Sequence, residues 1–165
     1  MSVAPILKQA DIFFELTTTQ LELIASIAEE RNYHTGEVVF KEGAGGDELY
    51  VIANGEVNIQ IDSGLMSGGP SSGAYTLATL RRGQSFGEVA LVDEGRRSAA
   101  AIAAQHDTHL IVIPAEKLML LCDSYPPLGY RLMRNLAADL AMKIRNTDLQ
   151  VREKLYWTQQ PKPGA

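Results

Sequence analysis

Cysteine is almost absent from this sequence of 165 residues. Cys122 is the single one, so the chain can form no internal disulfide, and we expect a small buried side chain in a reducing cytoplasm. No apolar run approaches the roughly 18 residues that span a bilayer, which predicts no membrane segment. Charged residues recur through the first thirty positions, beginning with Lys8 and Asp11, which argues against a secretory signal peptide.

An excess of basic residues is also lacking. Lysine and arginine number 15 against 20 aspartates and glutamates, which gives a formal net charge of −5. A general nucleic-acid binder carries a basic face or stripe, so this class of protein is disfavoured. Hydrophobic residues make up 45% of the chain, which is enough for one soluble domain with its own core.

Patterns that indicate catalysis or metal binding are missing as well. His106 and His109 lie three apart near a predicted strand, so their side chains point to opposite faces, and His34 is isolated in the sequence. We therefore expect no metal site. Neither paired carboxylates nor a Ser/His/Asp arrangement can be identified, and we predict that the protein is not an enzyme.

Two glycine-containing matches are rejected on their context. Residues 69–73 satisfy G-x-S-x-G, but a nucleophile elbow needs a strand before it and a helix after it. Here the match lies in a Gly/Ser/Pro tract that predicts a loop over 63–74. Residues 43–46 lack the Lys-Ser/Thr ending of a phosphate loop, and they predict a turn.

The N-terminal part of the chain predicts a helix over residues 17–31. Its sequence, TTTQLELIASIAEER, places apolar residues on one face. Either Thr18 or Thr19 is expected to cap the start, and Glu22 is expected to complete a capping box.

From residue 36 to residue 113 the sequence consists of short β-rich runs that are broken by glycines. Such spacing is typical of an antiparallel sandwich or barrel. Asn54-Gly55 is the strongest hairpin signal in the chain, because both residues accept a positive φ.

Helical periodicity returns after Pro114. The segment AEKLMLLCDS predicts a short amphipathic helix, residues 125–127 interrupt it, and a long helix follows over about 128–155. The long helix carries an approximate heptad seam, formed by Ala137, Leu140, Ile144, Thr147 and Val151. One interpretation is that the seam packs on the β-domain. We expect this for its first half, and self-association beyond Ile144.

The segment FGEVALVDEGRRSA over residues 86–99 carries the most specific chemistry. Gly87 followed by EVAL has the form of one helical turn, whose free N–H groups bind phosphate. Glu88 is suited to accept a sugar hydroxyl, and Arg97 and Ser98 are suited to contact phosphate oxygens. Spacing alone leaves two interpretations open: a receptor for a phosphate joined to a ribose, or a surface bulge with a Glu88–Arg97 ion pair.

At these residues the sequence resembles the cyclic nucleotide-binding domain family, which occurs in catabolite-activator-type regulators, kinase regulatory subunits and gated channels. The resemblance covers roughly residues 10–145. Its most specific part is the family's phosphate-binding cassette, F-G-E-[VL]-A-L followed by R-[ST]-A. The cassette stands here as Phe86-Gly87-Glu88-Val89-Ala90-Leu91 and Arg97-Ser98-Ala99.

The resemblance implies a mainly β fold, an eight-stranded antiparallel β-roll of jelly-roll type with an N-terminal helix and a long C-terminal helix. It also implies that Glu88 accepts the ribose 2′-hydroxyl and that Arg97 pairs with the cyclic phosphate of cAMP or cGMP. Ser98 and the Gly87 backbone would complete the contacts. The ligand-binding residues would then be Phe86, Gly87, Glu88, Val89, Ala90, Arg97, Ser98 and Ala99.

Two departures from the family bear on function. Catabolite-activator-type proteins place a threonine–serine pair of the long helix against the adenine, whereas the matching part of this helix reads Met142-Lys143-Ile144. Lys143 and Ile144 are therefore the candidates for a remade base contact, and Ser98 favours cAMP over cGMP. Only ten residues follow Leu155, too few for a helix-turn-helix, so we expect no direct DNA binding by this chain.

We therefore predict a cytoplasmic cyclic nucleotide sensor that couples ligand binding to helix rearrangement. Residues 1–125 would form the β-roll with its N-terminal helix, 126–157 the long helix, and 158–165 a tail. The expected partners are a cyclic nucleotide, a second copy bound through the long helix, and an effector protein of unknown identity. The alternatives are a β-roll that binds no nucleotide and serves protein interaction or dimerisation, and the sensory part of a larger transcription regulator.

Overall fold

Eight strands form the centre of the protein in a computed structural model that describes residues 2–62 and 73–160. They are β1 (Glu29–Tyr33), β2 (Val38–Phe40), β3 (Glu48–Asn54), β4 (Glu56–Asp62), β5 (Ala74–Arg81), β6 (Ser85–Phe86), β7 (Ala100–Ala103) and β8 (Thr108–Pro114). One sheet has the order β1-β8-β3-β6 and the other β2-β7-β4-β5. Every pairing of neighbouring strands is antiparallel, which confirms the predicted β-roll.

Helices precede and follow the sheets. They are α1 (Ala4–Leu7), a 3-10 helix (Asp11–Phe13), α2 (Thr18–Ala25), a second 3-10 helix (Glu88–Leu91), α3 (Ala115–Ser124) and α4 (Pro126–Gln159). Across residues 2–62 and 73–160, none of the helices has both the length and the apolar character of a membrane span.

The central strand β3 is buried on both of its faces. Since side chains alternate along a strand, Leu49 and Val51 pack among the residues of the helices. Tyr50 and Ile52 instead pack with residues of the second sheet, including Val57. Coverage on both sides explains why the sequence here is a continuous apolar run and not an alternating one.

The long helix α4 has two parts with different surroundings. Leu128, Leu132 and Leu136 are buried in the core cluster that also contains the helical residues. Further along, Ile144 is 63% exposed and Val151 is 51% exposed. The first half therefore packs mainly on α3 and on the Asp11–Phe13 3-10 helix, and the second half presents apolar side chains to solvent. Of the predicted seam, Leu140 packs against the core, but Ala137 is exposed, because the buried face runs through the leucines beside it.

The helix predicted over residues 17–31 is shorter in the structure, where α2 ends at Ala25. The chain turns at Ser26, whose hydroxyl donates to the Leu23 carbonyl at 2.6 Å. Glu29–Tyr33 then pair with β8. The prediction was wrong over these residues because pairing with a distant strand outweighs local helix propensity.

The cap of α2 also differs from the prediction. Thr17 is the N-cap, and its hydroxyl accepts a hydrogen bond from the backbone N–H of Gln20 at 3.2 Å. The Gln20 side chain accepts in return from the Thr17 backbone N–H at 2.9 Å. The capping box is real, but it lies one or two residues earlier than expected and uses glutamine where Glu22 was predicted.

The remaining boundaries follow the sequence closely. The long helix predicted over 128–155 begins at Pro126 and continues to Gln159, because proline is tolerated in the first turn, where no N–H is required. The predicted tail therefore starts beyond residue 158. Residues 69–72 of the G-x-S-x-G match and residues 63–72 of the predicted loop lie outside the described residues.

We predict that Gly55→Ala destabilises the fold more than Gly36→Ala. Both glycines have φ 87°, so each alanine incurs a left-handed backbone cost of about 1–2 kcal/mol. A Cβ at Gly55 would also lie 2.8 Å from the Thr108 Cα, whereas a Cβ at Gly36 meets nothing within 4 Å. Urea unfolding should show an additional loss for Gly55→Ala of at least about 1 kcal/mol; equal losses would contradict the packing.

Candidate functional site

The segment after β6 makes the single helical turn that its sequence predicts. Gly87 adopts a left-handed φ of 74°, and Glu88–Leu91 form one 3-10 turn. The chain then returns beside the loop between β2 and β3. There the Arg97 N–H donates to the Ala44 carbonyl at 2.8 Å, and the Gly43 N–H donates to the Arg97 carbonyl at 2.7 Å. These bonds fix the backbone from which the Arg97 side chain extends.

Backbone carbonyls and an aromatic ring hold the Arg97 guanidinium. Its Nη1 donates to the Gly87 carbonyl at 3.2 Å and its Nη2 donates to the Glu48 carbonyl at 2.8 Å. The guanidinium carbon lies 4.3 Å from the centre of the Phe40 ring and 5.9 Å from that of Tyr50. The charge thus lies at an aromatic face, where it is favoured by the ring quadrupole.

The Arg97 guanidinium has bonding capacity to spare. Within residues 2–62 and 73–160, no carboxylate forms an ion pair with it, and its buried Nε has no hydrogen-bond partner. A Cβ at Gly46 would overlap that Nε. Gly46 is therefore needed for the close approach of the guanidinium and not for a special backbone angle.

The Glu88 carboxylate is buried beside α4. The residue is 5% exposed, and its Oε1 accepts from Lys143 Nζ at 2.5 Å. Lys143 also contacts Asp139 Oδ2 at 2.9 Å. Burial by itself lowers the pKa of Lys143, but the two carboxylates outweigh this and the net pKa is raised. The alternative Glu88–Arg97 ion pair is not formed, because each side chain has a different partner.

The remaining cassette residues line the same turn. Phe86 is buried and stacks on Tyr50, with ring centres 4.9 Å apart and planes 8° from parallel. Ala99 is buried, Ala90 is half-buried, and Val89 and Ser98 are exposed. The structure therefore brings the predicted site residues of the β-roll together in one place.

The two candidate residues for a base contact on α4 have different surroundings. Lys143 is half-buried and reaches Glu88, whereas Ile144 is 63% exposed. Consecutive helical residues point about 100° apart, which explains why only one of them faces the site.

A hydrogen-bond network beneath Arg97 was not predicted from the sequence. Both Arg31 terminal nitrogens donate to Glu48 at 3.1 and 2.9 Å, and the Tyr50 hydroxyl donates to Glu48 Oε2 at 2.6 Å. Burial raises the pKa of Glu48, but these hydrogen bonds outweigh it and the pKa is lowered. Burial, together with Glu48, raises the pKa of Tyr50. Glu48 is thus held as an anion on the residue whose carbonyl accepts from Arg97.

His34, isolated in the sequence, has a histidine neighbour in the structure that the sequence analysis did not predict. The His34 ring stacks on the His106 ring with centres 4.9 Å apart, because the β1–β2 and β7–β8 turns lie side by side. His109 points elsewhere and contacts Glu30 at 3.1 Å.

The site therefore offers complementary groups on the two arms of the 86–99 segment. Glu88 supplies a buried hydrogen-bond acceptor, and Arg97 supplies a cation with an unused N–H donor. Such a pair is suited to a ligand that carries hydroxyl and phosphate groups together.

Comparison with known proteins identifies the family. Residues 30–125 match the cyclic nucleotide-binding domain family. The chain belongs to this family. It is 34% identical over 145 residues to the cyclic AMP receptor protein of Thermus thermophilus, a match that covers 88% of this chain and 62% of that protein. It is 32% identical over 117 residues to the mouse cyclic nucleotide-gated channel beta-3, covering 70% of this chain and 16% of the channel.

Solved structures of other cyclic nucleotide-binding domains share the architecture. The Thermus thermophilus catabolite activator protein superposes with a TM-score of 0.73 at 33% identity, over 89% of this chain and 64% of that chain. A cyclic nucleotide-binding domain from Methylobacillus flagellatus gives a TM-score of 0.78 at 22% identity, over 93% and 86%. The second likeness shows the fold alone.

Proposed function

We propose that this cyclic nucleotide-binding domain is a non-catalytic sensor that binds cyclic AMP in preference to cyclic GMP. The observation that carries the proposal is the Arg97 guanidinium, half-buried without a carboxylate partner among the described residues and with a free buried Nε. A cyclic phosphate would supply the missing anion through charge-assisted hydrogen bonds. The preference for cyclic AMP rests on Ser98, since cyclic-GMP-selective relatives often carry threonine there.

Each polar group of the candidate site then has a role. Arg97 would bind the cyclic phosphate, assisted by the exposed Ser98 hydroxyl and the Gly87 backbone N–H. Glu88 would accept the ribose 2′-hydroxyl. The Phe86–Tyr50 stack and the Phe40 ring hold these groups in place without contributing a charge.

The helix α4 would sense the ligand through Lys143. Its ammonium group binds Oε1 of the carboxylate that the ribose hydroxyl would use, so nucleotide and helix would compete for that oxygen of Glu88. A ligand shifts a conformational equilibrium only by its different affinity for the two states, and this competition supplies such a difference. Release of Lys143 would free α4 to rearrange and pass the signal on.

The output surface would be the second half of α4. Large apolar residues there are exposed: Ile144, Leu149, Val151, Leu155, Tyr156 and Trp157. Ile144, Val151 and Leu155 lie on one face of the helix, and an exposed apolar stripe of this kind is typical of a surface that docks on another helix. The homodimer through this helix and the effector protein stay predictions.

We predict that Arg97→Ala abolishes tight cyclic AMP binding while Arg96→Ala does not. Removing one partner of a desolvated charge pair costs roughly 2–5 kcal/mol, or about 30-fold to several thousandfold in affinity. Arg96 is the matched control, because it is the adjacent arginine and is exposed. Calorimetric titration with cyclic AMP and cyclic GMP measures both variants. Equal weakening by both variants, or no heat from either nucleotide with wild-type protein, would refute the proposal and favour a β-roll that serves protein interaction.

We also predict that Lys143→Gln binds cyclic AMP more tightly than wild type. A partly exposed ion pair contributes up to about 1 kcal/mol, so removing the competitor should strengthen binding up to roughly fivefold. Lys154→Gln is the control, since Lys154 lies on the same helix near Tyr75 and away from Glu88. Unchanged or weaker binding by Lys143→Gln would exclude competition for Glu88.

A further inference from the structure

Two turns lie side by side at one end of the β-roll. They are the β1–β2 turn, residues 34–37, and the β7–β8 turn, residues 104–107. The Gly36 N–H donates to the Ala103 carbonyl at 2.8 Å, and the Ala103 N–H donates to the Glu37 carbonyl at 2.9 Å. Backbone bonds therefore hold the two turns in register, whatever their exposed side chains do.

Three exposed side chains with metal-ligand chemistry meet across these turns. The Nδ1 atoms of His34 and His106 are 3.4 Å apart. Asp107 Oδ1 lies 3.7 Å from His106 Nε2. One ligand atom from each of the three residues lies within 4.8 Å of the other two. His106 approaches His34 with Nδ1 and Asp107 with Nε2, so its exposed side chain has to rotate before all three groups can face one ion.

We propose that His34, His106 and Asp107 bind a divalent transition-metal ion of the class that prefers imidazole, such as Zn²⁺. Zinc–nitrogen bonds of about 2.0–2.1 Å place neighbouring ligands of a tetrahedral site about 3.3–3.4 Å apart. The two Nδ1 atoms have a similar separation of 3.4 Å, although the stacked rings have to turn for their in-plane lone pairs to converge on one ion. Water would complete the coordination shell of so exposed a site.

Local charge and backbone geometry favour a cation at this position. Asp107 has φ 57°, a left-handed conformation that aspartate accepts more readily than most residues. Glu37 accepts a hydrogen bond from the His34 backbone N–H at 3.1 Å, which adds a second carboxylate to the cluster. The cluster thus combines two imidazoles with two carboxylates, and carboxylates attract a cation.

The proposed metal site shares no residue with the candidate site that contains Arg97 and Glu88. It therefore does not rest on the proposed sensor function. A bound ion would cross-link the two turns and stabilise the end of the β-roll, because a ligand that binds only the folded state shifts the unfolding equilibrium.

The proposal is tested by calorimetric titration with zinc chloride in a non-chelating buffer. The protein is the full chain without a histidine tag. We expect one Zn²⁺ per chain with micromolar or tighter affinity. Outer-shell partners alone contribute about 10- to 100-fold to metal affinity, so losing a ligand in His34→Ala or His106→Ala should cost at least about 100-fold. His109→Ala, which removes the third histidine, should bind zinc as the wild type does.

A second variant tests the metal site without altering the stacked rings of His34 and His106. Asp107→Asn preserves the tolerance for a positive φ and removes the negative charge, so it should fold normally and bind zinc at least about tenfold more weakly. Far-ultraviolet circular dichroism checks the fold of every variant. No heat from zinc, or equal zinc affinity in wild type, His34→Ala and His106→Ala, would show that the two rings form only an imidazole–imidazole hydrogen bond.

Discussion

The attachment of the Arg97 guanidinium to two backbone carbonyls is the contact on which the candidate site depends. Gly87 and Glu48 provide those carbonyls from segments that are far apart in the sequence. Carbonyl oxygens stabilise the guanidinium without neutralising its charge. The side chain is therefore positioned in advance while its affinity for an anion is kept, and preorganisation of this kind reduces the cost of binding.

Several parts of the fold serve that one contact. The strand order places β3 between β8 and β6, which brings Glu48 beside the turn at Gly87. The Arg31 and Tyr50 hydrogen bonds hold Glu48 in place from below. The long helix reaches the other functional group of the site, where Lys143 binds the buried Glu88. The Lys143–Glu88 contact thereby joins the candidate site to an element that extends beyond the β-roll.

What could be predicted from the sequence had a local signal. The helix after Pro114 and the helical turn after Gly87 each depend on neighbouring residues, and each occurs in the structure. The chain also turns at Asn54-Gly55, but the predicted hairpin was wrong: β3 and β4 belong to different sheets and pair with other strands, and of the two turn residues Gly55 alone has a positive φ. The missed features join distant residues: Lys143 is 55 positions from Glu88, and His106 is 72 positions from His34. Such pairs are set by strand order and helix placement, which no local spacing encodes. The end of α2 was missed for the same reason, since β1 is defined by its pairing with β8.

The central claim is that Glu88 and Arg97 together recognise one ligand that carries both a ribose hydroxyl and a cyclic phosphate. Calorimetric comparison of cyclic AMP with 2′-deoxy cyclic AMP tests it most directly, because the two ligands differ only at the group assigned to Glu88. A hydrogen bond to a charged group contributes about 1.5–3 kcal/mol, so the account predicts binding of the deoxy ligand that is at least about tenfold weaker. Equal affinities for the two nucleotides would contradict it, since Glu88 would then have no part in recognising the ribose.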